Sequence, residues 1–89
     1  MRFGTGFIAD IDCIDVGRAR KYRVAVSSRV RAIMAIEHFM GWDRGLLLER
    51  MGAVAQFLGD SSDSLDALLS NGQGQWWAIN VTPIRMEIE

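Results

Sequence analysis

Two runs of alternating apolar and polar residues lie near the start of the chain. In residues 7–14 every odd position is apolar, with Asp10 and Asp12 between them, and in residues 20–26 the larger apolar side chains alternate with basic ones. Alternation of this kind is typical of strands with one buried face. Gly17 lies in the short segment between the runs and can adopt a positive φ at little cost. The pattern predicts a β-hairpin.

Two independent patterns agree on the register of this hairpin. If Ile11 lies opposite Tyr22, apolar residues face one another along one side of the hairpin. The same register places Asp10 opposite Arg23 on the other side, next to a second pair of opposite charge, Asp12 and Lys21. A shift of one residue would put Ile11 opposite Lys21 and spoil both sides at once.

The next segment predicts two helices, each with a recognisable beginning and end. Ser27 or Ser28 can cap a first helix that runs to about Met40 and ends at Gly41. Asp43 can cap a second, uninterrupted helix that stops at Gly59. Its main apolar stripe consists of Leu47, Met51, Val54, Ala55 and Leu58.

A short third helix is expected to begin at Ser62 or Asp63 and to end at Asn71–Gly72. The final segment alternates again, but its apolar positions change parity at Pro83, which predicts a bulge or bend in an edge strand. The chain is therefore predicted to be one α+β domain over residues 1–89. Its element order is β-β-α-α-α-β, with helices packed on one face of an antiparallel sheet of three or four strands.

The first helix is apolar around most of its circumference, which a simple surface helix is not. The second helix also carries apolar residues away from its main stripe. This surplus predicts an interface, most economically a homodimer, with burial inside one chain as the alternative. The interface candidates are Ile33, Ile36, Phe39, Met40, Leu46, Phe57 and Trp76.

Composition and charge narrow the range of functions. Hydrophobic residues make up 49% of the chain and charged residues 24%, with a net charge of −1. These values are ordinary for a soluble globular domain and give no overall attraction to nucleic acid or acidic membranes. The lone Cys13 fits a reducing compartment, and no apolar run is long enough to cross a bilayer. A cytoplasmic protein is expected.

Residue clusters with possible chemistry are weak. Asp10, Asp12 and Asp15 lack the spacing of a calcium loop and are interpreted as a solvated strand face, so no metal or cofactor is predicted. Cys13 and His38 are expected on different faces, which argues against a nucleophile pair. No acid, base and nucleophile occur together, so no catalytic residues are assigned.

A basic stretch is the only nucleic-acid signal, and it is a poor one. Once the hairpin aspartates are paired, the remaining arginines are Arg18, Arg20, Arg29 and Arg31, scattered over a strand end and a helix start. The leading interpretation is a non-enzymatic protein-interaction module that forms a homodimer and is accessory or inhibitory toward a larger partner. The alternative is a small apolar-ligand-binding protein whose pocket, in or beside the dimer cleft, is lined by Tyr22, Phe39, Met40 and Trp76.

Overall fold

The computed structural model describes residues 2–88. The elements in chain order are β1 (Arg2–Asp15), β2 (Arg18–Val26), α1 (Arg29–Met40), α2 (Arg44–Arg50), α3 (Gly52–Leu58), β3 (Leu65–Ser70) and β4 (Trp76–Ile88). The strands form one antiparallel sheet in the order β2-β1-β4-β3. The α+β class and the order β-β-α-α-α-β are confirmed. The sheet has four strands, the larger of the two predicted numbers, because an additional strand, β3, comes before the final strand.

The β1–β2 hairpin has the register predicted from the sequence. Ile11 lies opposite Tyr22, and Asp10 lies opposite Arg23. The Asp10 carboxylate and the Arg23 guanidinium form an ion pair at 3.6 Å on the solvent side. Gly17 takes the positive φ of 71° that the tight turn requires.

Helix α1 has the boundaries that its capping residues predict. The Ser28 hydroxyl accepts a hydrogen bond from the Arg31 backbone N–H at 3.1 Å. At the other end Gly41 has a left-handed backbone, with φ 73°, and its N–H donates to the carbonyl oxygen of Glu37 at 2.8 Å. Local capping chemistry therefore sets both ends of the helix.

The predicted second helix is interrupted at Met51, and the expectation of one continuous helix is wrong. Asp43 caps α2 as expected, accepting the Leu46 N–H at 2.8 Å. Met51 then has an extended backbone, φ −133° and ψ 90°, and α3 begins after it. Because the interruption resets the helical periodicity, Phe57 is buried and Ala55 is exposed, the reverse of the predicted stripe.

The predicted third helix is also wrong, because this segment is strand β3. Leu65 lies opposite Val81, and Leu69 lies opposite Trp77. Leucines at helical spacing favour a helix locally. Pairing with β4, a strand that comes later in the chain, overrides this local preference. Residues 2–88 still contain three helices because the predicted second helix is divided into α2 and α3.

Strand β4 continues through Pro83 in an unbroken register with β1, so the predicted bulge does not occur between residues 76 and 88. Strand β4 lies between β1 and β3, so the predicted edge strand is wrong. Pairing with β3 ends at Val81, however, and Pro83 has a neighbouring strand on one side only, which is where a proline is tolerated. The parity change instead moves Ile84 and Met86 to the opposite face of the sheet. At this end of the sheet, residues 2–6 of β1 and residues 84–88 of β4 extend beyond the other strands as a two-stranded ribbon.

All helices lie against one face of the sheet, called here the inner face. The core consists of Phe7, Ala9, Ile11, Cys13, Ala32, Ile33, Ile36, Met40, Leu47, Met51, Val54, Phe57, Leu65, Trp77, Ile79 and Val81. No helix within residues 2–88 covers the opposite, outer face. Within residues 2–88, no helix combines the length and apolar character needed to cross a bilayer.

Candidate functional site

An apolar groove lies between the edge strand β2 and helix α1. Strand β2 pairs with β1 on one side, and no described strand pairs with its other side. Helix α1 covers the inner face only as far as β2, so Tyr22, Val24 and Val26 remain half-buried. The groove has a volume of about 340 Å³ and is lined by Tyr22, Val24, Val26, Arg31, Met34, Ala35 and His38. We call it the β2–α1 groove.

Helix α1 contributes an uncovered apolar strip beside this groove. Val30 and Met34 are one helical turn apart and are 51% and 53% exposed. Ala35, next to Met34, lines the groove and is half-buried. The helix therefore buries one side against the sheet and leaves apolar side chains open next to an unpaired strand edge.

Aromatic packing holds one end of the groove in place. The Tyr22 ring stacks on Phe39 with centroids 5.1 Å apart, and Phe39 meets Trp77 edge to face at 5.9 Å. The Arg20 guanidinium lies 5.6 Å from the Phe39 ring centroid. Because Tyr22 is fixed by these contacts, the wall of the groove that it forms is preorganised for binding.

The charges around the groove are mainly basic. Arg18, Arg20 and Lys21 are exposed on β2, and Arg31 lines the groove. Arg29, which the sequence placed in the same basic set, belongs elsewhere: its guanidinium contacts carboxylates of the loop before β3. The basic surface is therefore smaller than the sequence indicates.

Most of the predicted interface residues lie inside the chain. Ile33, Ile36 and Phe57 are completely buried, and Met40 is nearly so, because the sheet and the other helices cover them. In this structure they belong to the core and present no surface to a partner. The remaining candidates are the half-buried Phe39 and Leu46 and the exposed Trp76.

The four predicted ligand-pocket residues do not line one pocket. Tyr22 lines the β2–α1 groove, and Phe39 packs behind it. Met40 is buried in the core. Trp76 is 45% exposed on the outer face, opposite Ile14 in the neighbouring strand, so the sheet separates it from Tyr22.

The residues with possible chemistry are dispersed. Asp10 and Asp12 lie on the outer face, and Asp15 accepts a hydrogen bond from the Val16 N–H at 2.7 Å. Cys13 is buried on the inner face, whereas His38 is exposed at the groove. Among residues 2–88, no three His, Cys, Asp or Glu side chains are grouped so that they could hold a metal ion.

The sequence interpretation missed several residues of the groove. The alternation of residues 20–26 places Val24 and Val26 on the buried side of the hairpin, and Val30 and Met34 belong to the apolar surplus of the first helix. The usable signal was the spacing of Val30 and Met34, which places both on one side of α1. What the sequence could not provide was the position of β2 at the edge of the sheet.

A second exposed apolar surface lies at one end of the outer face. Ile14, Leu68 and Trp76 are 51%, 65% and 45% exposed. Asp12 and Asp66 lie further along the same face, next to these residues. This outer patch lies on a sheet face, whereas the β2–α1 groove combines a cavity with an unpaired strand edge and is the more definite binding feature.

Comparison with models of known protein families, with curated proteins and with solved structures found no match to this chain. The β2–α1 groove therefore has to be interpreted from its own geometry. It offers an open strand edge, an apolar floor and a basic rim, and each of these features can contact an extended polypeptide.

Proposed function

We propose that this chain is a non-enzymatic protein-interaction module whose docking element is the β2–α1 groove. The observation that carries the proposal is the coincidence of an unpaired strand edge with half-buried Tyr22, Val24 and Val26 beside it. A polypeptide added at this edge would satisfy the free backbone groups of β2. Its alternate side chains would cover the three half-buried apolar groups.

An accessory or inhibitory role toward a larger protein is part of the same proposal. The groove and the outer patch lie on opposite faces of the sheet, so one chain could hold two partners at once. A cytoplasmic location also belongs to the proposal. The free, buried Cys13 is compatible with a reducing compartment, and the interaction needs no oxidising environment.

A small apolar ligand is the second candidate occupant. A volume of about 340 Å³ is within the range of small-molecule sites, and Tyr22 supplies a hydroxyl that could orient a polar group. A protein occupant is favoured over this ligand because the groove is open along a strand edge. Ligand sites usually enclose most of their ligand.

Site-specific photo-crosslinking in living cells that express the chain tests the proposal. A benzophenone amino acid replaces Met34 in the groove, and a matched variant carries it at Leu48, an exposed residue of α2 outside the groove. We expect protein adducts from position 34 in clear excess over those from position 48. Equal yields at the two positions, or attachment of small molecules alone at position 34, would contradict a protein-binding groove.

A further inference from the structure

We infer that the occupant of the β2–α1 groove is a second copy of this chain, with the two β2 strands paired antiparallel about a two-fold axis at Val24. This inference rests on the proposed function and names its partner. The result is a continuous eight-stranded sheet, twice the four strands of one chain. All helices lie on one face of this sheet.

Apolar complementarity favours the axis at Val24. In this register Val24 of each copy faces Val24 of the other, and Tyr22 of each copy faces Val26 of the other. Side chains opposite each other in an antiparallel pair have Cβ atoms about 4.5–5.5 Å apart and pack directly. The three half-buried residues of each β2 strand are thereby covered by their own equivalents.

Repulsion between like charges excludes the pairing registers whose axis lies closer to the start of β2. An axis at Arg23 would place two arginines opposite each other, and an axis at Tyr22 would twice oppose Lys21 to Arg23. With the axis at Val24, Arg23 instead faces Ala25 of the second copy. Its charge is also partly neutralised by Asp10 of its own chain, 3.6 Å away. A shift the other way, to Ala25, would leave Tyr22 opposite a serine.

The helices fit the same two-fold axis. Helix α1 contacts both β1 and β2 on the inner face, so the two-fold axis would place the α1 helices of the two copies side by side on one face of the joined sheet. Helices that pack side by side have axes about 8–10 Å apart. Val30 and Met34, exposed in the single chain, would face this contact.

The opposite edge of the sheet does not offer the same surface. Strand β3 is the other edge strand, but α3 packs against it and Leu65 is buried. Its inner face also carries the half-buried Ala67 and Leu69, and its exposed leucine, Leu68, points to the outer face. The two edges differ in the adjoining helix: α1 exposes Val30 and Met34, whereas α3 has no large apolar side chain exposed within residues 2–88, so we assign β2 as the edge that a second copy covers.

Disulfide crosslinking of the purified chain tests the position of the axis. With Val24→Cys, the two thiols would be directly opposite each other, and mild oxidation should convert most of the protein to a covalent dimer. With Lys21→Cys, the thiols would be about 20 Å apart, and little dimer should form. The unchanged chain is the control, because its Cys13 is buried.

A spin-label measurement repeats the test at an exposed site, in case the half-buried Val24 does not tolerate the change. Labels on Ala25→Cys would be attached to backbones about 8 Å apart and should show strong dipolar broadening. Labels on Leu68→Cys would be more than about 30 Å apart and should show none.

The outcomes separate this inference from the proposed function. The protein could form a dimer that crosslinks better at position 21 than at position 24, or whose labels at position 25 show no broadening. Either result contradicts the axis at Val24 but leaves the proposed interaction module intact. If the protein is monomeric and position 34 crosslinks to other proteins, the occupant of the groove is a different protein. If the protein is monomeric and position 34 gives no protein adducts, both the second copy and the protein-binding groove are contradicted.

Discussion

Arg29 donates a hydrogen bond to the carbonyl oxygen of Phe57 at 2.9 Å, and its guanidinium lies 5.0 Å from the centroid of the Phe57 ring. One side chain thereby joins the start of α1 to the end of α3. It also forms ion pairs with Asp60 at 2.6 Å and Asp63 at 3.0 Å. The Arg29 side chain is only 19% exposed, whereas Asp60 and Asp63 are 78% and 83% exposed, so solvent screens the two ion pairs more than the contacts with Phe57.

Replacing Arg29 should therefore destabilise the chain more than replacing any exposed arginine. We expect Arg29→Ala to lower the free energy of unfolding by about 2–3 kcal/mol, since several charge-assisted hydrogen bonds are lost together. Arg29→Lys should recover only part of this loss because an ammonium lacks the planar fork. Urea denaturation provides the measurement. Arg18→Ala, at an exposed strand end, is the control, and an equal loss in both alanine variants would contradict the role given to Arg29.

Gly6 should not tolerate a side chain. A Cβ atom at this position would lie 2.8 Å from both the Met86 sulfur and the Val26 carbonyl oxygen. The carbonyl belongs to the backbone and cannot easily move, so Gly6→Ala should cost about 1–3 kcal/mol.

Gly52→Ala is the matched control for this substitution. A Cβ atom there has no neighbour within 4 Å, and the added alanine should stabilise α3 by up to about 1 kcal/mol. Thermal unfolding of both variants provides the comparison. Stabilisation by both substitutions would show that the contacts around Gly6 do not constrain it.

The adjacent tryptophans should differ sharply in their effect on stability. Trp77 is 3% exposed in the core, and Trp77→Ala should cost about 3–5 kcal/mol or prevent folding. Trp76 is 45% exposed on the outer face, so Trp76→Ala should cost about 1 kcal/mol or less.

Oligomeric state gives a second readout for Trp76. This residue lies on β4, away from the β2 edge. Trp76→Ala should therefore leave the dissociation constant of the dimer unchanged within about twofold. A dimer lost with Trp76 but kept after changes in β2 would move the interface to the outer patch.

A charge placed in the groove should separate the two copies without unfolding either. Met34→Glu would bring two carboxylates into the contact between the α1 helices, and we expect the dissociation constant to rise more than about tenfold. Because Met34 is 53% exposed in the single chain, the stability of the monomer should change by less than about 0.5 kcal/mol. Leu48→Glu on α2 is the control, and sedimentation equilibrium measures both. Equal weakening in the two variants would argue against the groove.

The parts of the fold predicted from the sequence are those fixed by neighbouring residues. The hairpin register followed from apolar and charged pairs close in the chain, as for Ile11 and Tyr22. The ends of α1 followed from Ser28 and Gly41, whose capping effects are local. Strand β3 was missed because its pairing partner Trp77 comes later in the chain and overrides the helical spacing of its leucines.

The candidate site was harder to predict because it depends on the strand order. Val24 and Val26 have the sequence pattern of fully buried residues, and only the place of β2 at the edge of the sheet leaves them half-covered. The interruption at Met51 likewise moved Phe57 from the expected surface into the core. Strand order and helix breaks of this kind depend on contacts between distant segments, so a local pattern does not determine them.

The mass of the purified chain in solution tests the central claim most directly. Size-exclusion chromatography with light scattering, over about a hundredfold range of concentration, should give a mass near twice 10.0 kDa at the upper end. The same protein carrying Met34→Glu should stay nearer 10.0 kDa, with its rise in mass shifted to concentrations more than about tenfold higher. A mass of 10.0 kDa for the unchanged chain at every concentration would contradict self-association through the β2–α1 groove.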